Sequence, residues 1–464
     1  MFKIQLVHRF NQALLLTMLA VFGMVTNADV DQSRLDAVKA DLQSRIDENK
    51  LSGAVVMVAQ DGEVLMHEAL GYQNVEDQVP MSTETIFRIF SMTKPVTGTA
   101  LMLLYDEGKF ELDDPVEKHL PELADMEILV SQNDDGSWET KAANSPMTVR
   151  QLMSHTGGLL YTPPLSQGPI ANAYSEAGIM DLYGTTLEDS IPALKDIPLA
   201  YEPGTQWIYS ISVDVQGYMV EKLSGQKFDE FLQERIFEPL GMEDTAFYVK
   251  ADKADRFARQ YFPTQDGSLN RTDTGAFLNP PKFLSGGGGL TSTSSDYMKF
   301  AQMHLNKGEL NGVRILSEEA VEIMRTNHLP DSIDGIGQLY PGNVFGVDFA
   351  IVDNPDVFID EFAQAGATEL IVHPQCCDNI SLTLQNISKA GMTPGLALNP
   401  DTPLETAHPY LNDIGILLIM SVTPGFAGQT FQSSSLDKLK QAKLPIEPTF
   451  SPLLPYDQSY APCA

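Results

Sequence analysis

Cysteine is nearly absent. None precedes Cys376, and the only others are Cys377 and Cys463, so the long first part of the chain has no disulfide framework and no thiolate metal site. A domain of that composition has to stand on its apolar core. Basic residues are scarce as well: 30 Lys and Arg face 62 Asp and Glu, a net charge of −32. That balance argues against nucleic acid and anionic membrane surfaces as partners and describes a solvated acidic surface. Long hydrophobic runs are missing except for Ala13-Leu14-Leu15-Leu16-Thr17-Met18-Leu19-Ala20-Val21-Phe22. Lys3, His8 and Arg9 precede it and the small residues Thr26-Asn27-Ala28 follow, the layout of a secretory signal peptide over residues 1–28. It is short for a bilayer span. The expectation is a periplasmic or secreted protein with no stable membrane insertion after cleavage; an uncleaved anchor is the alternative.

The 464 residues, 43 % of them hydrophobic, suffice for two or three domains. Over residues 30–49 the apolar positions Leu35, Val38, Leu42 and Ile46 recur at helical spacing. Two strand-like runs follow at 54–59 and 64–72, joined by the hairpin turn Gln60-Asp61-Gly62. A polar stretch at 131–144 containing Asp134-Asp135-Gly136 reads as a surface excursion. Residues 147–159 read as a helix ending at Gly157-Gly158, and 228–247 as helical up to Pro239. The run Gly286-Gly287-Gly288-Gly289 lacks the Lys-Ser/Thr of a phosphate loop, so it reads as a tight turn before a helix at 295–304.

The candidate chemistry centres on Ser91-Met92-Thr93-Lys94-Pro95. Residues three apart share a helix face, so the Ser91 hydroxyl and Lys94 amine can meet. Pro95 fits only a first turn, which puts Ser91 at a helix start, where free N–H groups stabilise developing negative charge. A hydroxyl beside an amine in that setting suits nucleophilic acyl transfer. The same spacing occurs at Ser224/Lys227 and Ser435/Lys438, so context has to select among the three. His155 could act as a base, but beside Gly157-Gly158 it reads as structural.

Context comes from five stretches in order. They are Ser91-Met92-Thr93-Lys94, Met153-Ser154-His155-Thr156-Gly157-Gly158-Leu159 and Pro203-Gly204-Thr205-Gln206-Trp207-Ile208-Tyr209-Ser210, then Glu238-Pro239-Leu240-Gly241-Met242-Glu243-Asp244-Thr245 and Gly288-Gly289-Leu290-Thr291-Ser292-Thr293. Together they resemble the serine β-lactamase-related superfamily, which includes class C β-lactamases, D-alanyl-D-alanine carboxypeptidases and β-lactamase-like esterases. The resemblance spans about 35–350. It implies an α/β fold of the β-lactamase/transpeptidase type: an antiparallel sheet flanked by helices, plus a helical subdomain. It implies Ser91 as nucleophile, Lys94 as the group assisting its deprotonation and Tyr209 as proton shuttle. No cofactor or metal is implied, and the substrate is a small-molecule ester, a β-lactam or a peptidoglycan-like compound. A nearby ammonium favours a tyrosinate, so the Tyr209 pKa is expected to be lowered. Ile211 stands where the lactamases carry Asn in a Tyr-x-Asn motif, which removes an amide donor and favours the esterase-like branch.

The family's next strand should carry Lys-Thr-Gly, His-x-Gly or Trp-Gly-Gly and supply the second oxyanion donor. No such motif follows Val352. Instead, apolar runs at 369–374, 395–400 and 416–422 alternate with helical stretches, the pattern of a parallel sheet. Val372-His373-Pro374, Ala397-Leu398-Asn399-Pro400-Asp401-Thr402-Pro403-Leu404 and Met420-Ser421-Val422-Thr423-Pro424-Gly425-Phe426-Ala427-Gly428-Gln429 resemble ribulose-phosphate 3-epimerase, a TIM barrel. The match covers 347–440 and corresponds to the middle strands, an incomplete parallel (β/α) barrel fragment. It lacks the strands bearing the acid/base aspartates and metal ligands, and it cannot close, leaving sheet edges exposed. The expected organisation is a signal at 1–28, a hydrolase domain at 29–346, the fragment at 347–440 and a proline-rich disordered tail at 441–464. Both families carry an apolar strand and Val-Asp-Asn-Pro at the join, as expected of a recombined or misassembled junction. Three readings compete: a serine hydrolase with a truncated sheet, a non-catalytic penicillin-binding-like protein, and an epimerase.

Overall fold

The computed structural model describes residues 32–60, 62–264, 268–272, 275–337, 342–352, 358–364, 366–377, 379–421 and 434–441. The expected signal peptide at 1–28, the turn residue Asp61 and the expected tail beyond Gln441 lie outside the described residues. A helix, Gln32–Asp47, packs on an antiparallel sheet of Gly53–Gln60, Glu63–Asn74 and Val79–Pro80. The first two strands form the predicted hairpin, with Gln60 opposite Glu63 and a bulge near Val58. Lys39 on the helix reaches Glu68 on the sheet at 3.1 Å.

The chain then enters the strand Phe87–Arg88, which pairs with Thr291–Ser292, makes a single 3₁₀ turn at Phe90–Met92 and continues as the helix Thr93–Asp106. That helix is apolar nearly all round, with Val96, Ala100, Leu101, Met102 and Leu104 buried, so it has to run through the interior. It packs against Ser212–Ser224, whose Val213, Val215, Met219 and Val220 are also buried. Each such aliphatic side chain contributes about 1.5–3 kcal/mol on leaving water. The buried hydroxyls are satisfied: Thr97 donates to the Gly286 carbonyl at 2.9 Å and Thr99 meets His304 Nε2 at 2.9 Å.

Two local expectations change, and a third gains detail. The helix expected over 147–159 is confined to Val149–Met153, because Thr148 and Gln151 form a capping box at its start and His155 takes φ 58° just past its end. The segment 228–247 is helical over Phe228–Leu232, widens to a π turn at Gln233–Phe237 and resumes as Glu238–Leu240. Pro239 has no N–H to donate, and the wider turn carries the chain past it. The stretch at 131–144 is an exposed hairpin of Glu127–Gln132 and Trp138–Ala142, with Asp134, Asp135 and Gly136 at its tip. The glycine run at 286–289 is a turn, and the helix after it is Ser294–Leu305.

A two-stranded antiparallel unit, Asn343–Phe345 with Ala350–Val352, closes this body. Its connection returns to the main core, where Val347 is buried and Asp348 is 4 % exposed. Beyond it, Glu369–Val372, Thr393–Leu398 and Ile416–Ile419 form a parallel sheet with Thr393–Leu398 in the middle. It has a separate core that includes Val372, Leu384, Ile387, Leu396 and Leu398. Among the described residues it is a three-stranded sheet and does not close into a barrel.

Gly98 marks where Asp348 meets the central helix. A Cβ at position 98 would lie 2.7 Å from Asp348 Oδ2. Gly98→Ala is therefore expected to destabilise the protein by about 1–3 kcal/mol, as overpacking does. A urea denaturation curve showing no loss would refute this close approach.

Candidate active site

Ser91 stands exposed in the sharp turn between the strand Phe87–Arg88 and the helix Thr93–Asp106. Phe90, directly before it, takes φ 46°, a conformation an aromatic residue seldom adopts. Lys94 Nζ lies 3.3 Å from Ser91 Oγ and also donates to the Gly287 carbonyl. The glycine turn is needed for that approach, since a Cβ at Gly287 would come within 3.0 Å of Asp214 Oδ2 and 3.2 Å of the Tyr161 hydroxyl. Tyr209 lies near enough to Ser91 for the serine hydroxyl to act on its pKa, and its ring lies 4.5 Å from Lys94 Nζ. The three residues singled out in the sequence thus converge on one point.

The other two Ser-x-x-Lys pairs do other work. Ser224 caps its helix through the Gln226 N–H while Lys227 faces Glu188. Ser435 donates to the Met420 carbonyl, and Lys438 spends its donors on the carbonyls of Asn399, Pro400 and Thr402.

His155 is fully buried, and the Ser210 N–H donates to its Nδ1 at 3.2 Å, so the ring proton belongs on Nε2. Burial first, and the Lys94 charge second, hold it well below its ordinary pKa. The ring packs 4.9 Å from Tyr209 and 5.3 Å from Phe345, which makes it a neutral support for Tyr209.

Two residues that sequence reasoning passed over complete the site. Asp214 is fully buried and accepts from the Ser285 hydroxyl at 2.7 Å and the Gly287 N–H at 3.2 Å, both at Oδ1. Asp348 accepts from Gln216 Nε2 at 3.2 Å, while its Oδ2 has no hydrogen-bond partner and faces Gly98, one helical turn beyond Lys94. Burial raises both carboxyls, Asp348 to about 8. Burial also lowers Lys94 to about 8, opposed by the charges of Asp214 and Asp348. Asp214 had one visible signal, its place on the helix after Tyr209. Asp348 had none, because it lies beyond the five motifs.

The expectation for Tyr209 is reversed. Its pKa is raised, chiefly by burial and further by Asp348 and Asp214, against the hydrogen bond from Ser91. A tyrosine held neutral is a proton carrier, and the amine whose pKa falls towards neutrality is Lys94.

An exposed serine beside a buried lysine at the start of a central helix, in a body that also holds an antiparallel sheet, fits the β-lactamase/transpeptidase-like fold. The chain belongs to the Beta-lactamase family, whose pattern matches residues 38–356. A protein of Mycobacterium tuberculosis described only as uncharacterized is 37 % identical over 329 residues, covering 69 % of this chain and 80 % of the relative. Esterase EstB of Burkholderia gladioli is 29 % identical over 357 residues, covering 71 % of this chain and 85 % of the esterase. The solved structure of EstCE1, a hydrolase with promiscuous acyltransferase activity, aligns with TM-score 0.59 and 27 % identity over 73 % of this chain and 86 % of its own. The ribulose-phosphate 3 epimerase family pattern matches residues 338–453, overlapping the first match across the segment that carries Asp348.

Proposed function

We propose that this protein is an exported serine hydrolase that opens ester bonds through an acyl-enzyme on Ser91. The observation that carries this reading is the 3.3 Å contact of Lys94 Nζ with Ser91 Oγ, made by an amine that burial brings to about 8. Neutral Lys94 takes the Ser91 proton as Oγ attacks the carbonyl carbon. The Ser91 backbone N–H, at the turn into the helix, stabilises the developing oxyanion. Tyr209, neutral and beside Ser91, passes a proton to the departing alkoxide, and water then releases the acyl group by the reverse relay.

Ester substrates are favoured over β-lactams by position 211. Ile211 is fully buried in the main core and offers the substrate no amide. EstB and EstCE1 are a named esterase and a named hydrolase, in keeping with this reading. The strand that would supply a second oxyanion donor is missing from the sequence, so the rate should fall about 10²–10³-fold below that of an intact relative.

Labelling with a fluorophosphonate followed by peptide mass spectrometry tests the nucleophile. An adduct on the Ser91 peptide is expected. Non-covalent retention of penicillin without any adduct would favour a binding protein instead. Export is tested by the intact mass of the protein, which should begin at Asp29; retention of residues 1–28 would show an uncleaved anchor.

A further inference from the structure

Arg88 lies three residues before Ser91 and holds a half-buried positive charge that no carboxylate among the described residues neutralises. Its guanidinium is sandwiched between the rings of Phe90 and Phe277, at 4.3 and 4.2 Å. Nη1 donates to Gln260 Oε1 at 2.8 Å, and Nε is buried without a partner. Gln260 is held in place because its amide nitrogen donates to Thr272 Oγ1 at 3.1 Å. Among the described residues Arg88 makes no ion pair, and burial pulls its pKa down from the ordinary value. In a chain with twice as many acids as bases, an uncompensated guanidinium at half burial is costly unless something else supplies the countercharge.

Arg88 lines a cavity of about 300 Å³ whose walls include Phe90, Phe257, Gln260 and Tyr261 and, among the described residues, contain no carboxylate. Lys50, also in the wall, already pairs with Glu48 at 2.6 Å. Phe90 is both a wall of this cavity and the residue directly before Ser91, which puts the cavity beside the turn that carries the hydroxyl. It stands on a small core of Ile86, Val249, Phe257 and Phe277, whereas Tyr209 packs with the main core. A leaving group must reach Tyr209 for its proton. The group entering the Arg88 cavity is therefore the one retained on Ser91.

We propose that this cavity is an acyl subsite and that Arg88 selects acyl groups ending in a carboxylate, that is, hemiesters of dicarboxylic acids. The apolar and aromatic walls hold the methylene chain, and the guanidinium pairs with the distal carboxylate in a charge-assisted bond. The inference rests on Ser91 as nucleophile.

The test compares kcat/KM for p-nitrophenyl hemiglutarate and p-nitrophenyl butyrate in the full chain. Wild type should favour the hemiglutarate, and Arg88→Gln should lower the hemiglutarate-to-butyrate ratio about 10–100-fold, the value of a hydrogen bond to a charged group. Arg88→Lys should restore part of the ratio. Gln260→Glu, which keeps Arg88 and sets a carboxylate against it, should lower the ratio too, so the test stands even if Arg88→Gln does not fold. An unchanged ratio in both Arg88→Gln and Gln260→Glu would overturn the proposal. A loss seen only for 4-acetoxybenzoate, which carries its carboxylate on the leaving group, would overturn the acyl assignment. Ser91→Ala separates the two levels: if it leaves turnover intact, the nucleophile reading fails, whereas loss of turnover with an unmoved Arg88 ratio sinks this inference alone.

Discussion

Replacing Ser91 by alanine is expected to lower turnover of p-nitrophenyl butyrate by about 10³-fold or more, as loss of a nucleophile does in residues that act as a unit. The side chain is exposed, so folding should be unaffected and the melting temperature nearly unchanged. Tyr209→Phe should lower kcat by roughly 10²–10⁴-fold, the range of a positioned proton carrier, with a smaller effect on KM. Lys94→Ala should match Ser91→Ala in rate, because the two act in one step and their losses do not add. A rate in Ser91→Ala within a few fold of wild type, measured with freshly purified protein, would mean that the chemistry lies elsewhere.

The second large effect is on pH dependence. Lys94 must be neutral to accept a proton, so kcat/KM should rise with pH through about 8. The groups facing Lys94 are Ser91, Tyr161, Tyr209 and His155, with Asp214 and Asp348 as the two acids. A carboxylate stabilises the ammonium, so removing one makes Lys94 easier to deprotonate. Asp348→Asn keeps the oxygen that accepts from Gln216 and removes the charge. The rising limb of the profile should then move to lower pH by roughly one unit. A limb that stays in place, or moves upward, would show that Asp348 does not act on Lys94.

Stability should change in step. Asp348 is raised from 3.8 to about 8, so between those values the folded protein binds more protons than the unfolded chain. Its contribution is present below pH 3.8 and is lost as pH rises towards 8. Lys94 is lowered from 10.5 to about 8, so from pH 8 to 10.5 the unfolded chain binds more protons and stability rises with pH. Urea curves at pH 5 and 8 should differ less in Asp348→Asn than in wild type.

Much of this site was legible before any coordinates. Ser91, Lys94 and Tyr209 sit in local motifs whose spacing encodes a helix start and a turn, and local geometry is what sequence patterns carry. The hairpin at 53–74 was legible for the same reason, two apolar runs joined by the short turn Gln60-Asp61-Gly62. The helix limits at 149–153 were not, because the end depends on His155 leaving the helix to meet Ser210 across more than fifty residues. The direction of the Tyr209 shift was also hidden. It depends on how deeply the ring is buried and on two carboxyls, one of which, Asp348, comes from a distant segment.

By itself, the sequence determined the place of Ser91 at a helix start, the antiparallel hairpin and the change to parallel strands after Val352. Each follows from the spacing of neighbouring residues. Only the tertiary structure decided that Asp214 and Asp348 join the site, in which direction burial moves each pKa, and that Arg88 has no counter-ion among the described residues. Those properties depend on burial and on contacts between residues far apart in the chain, and no local pattern records them.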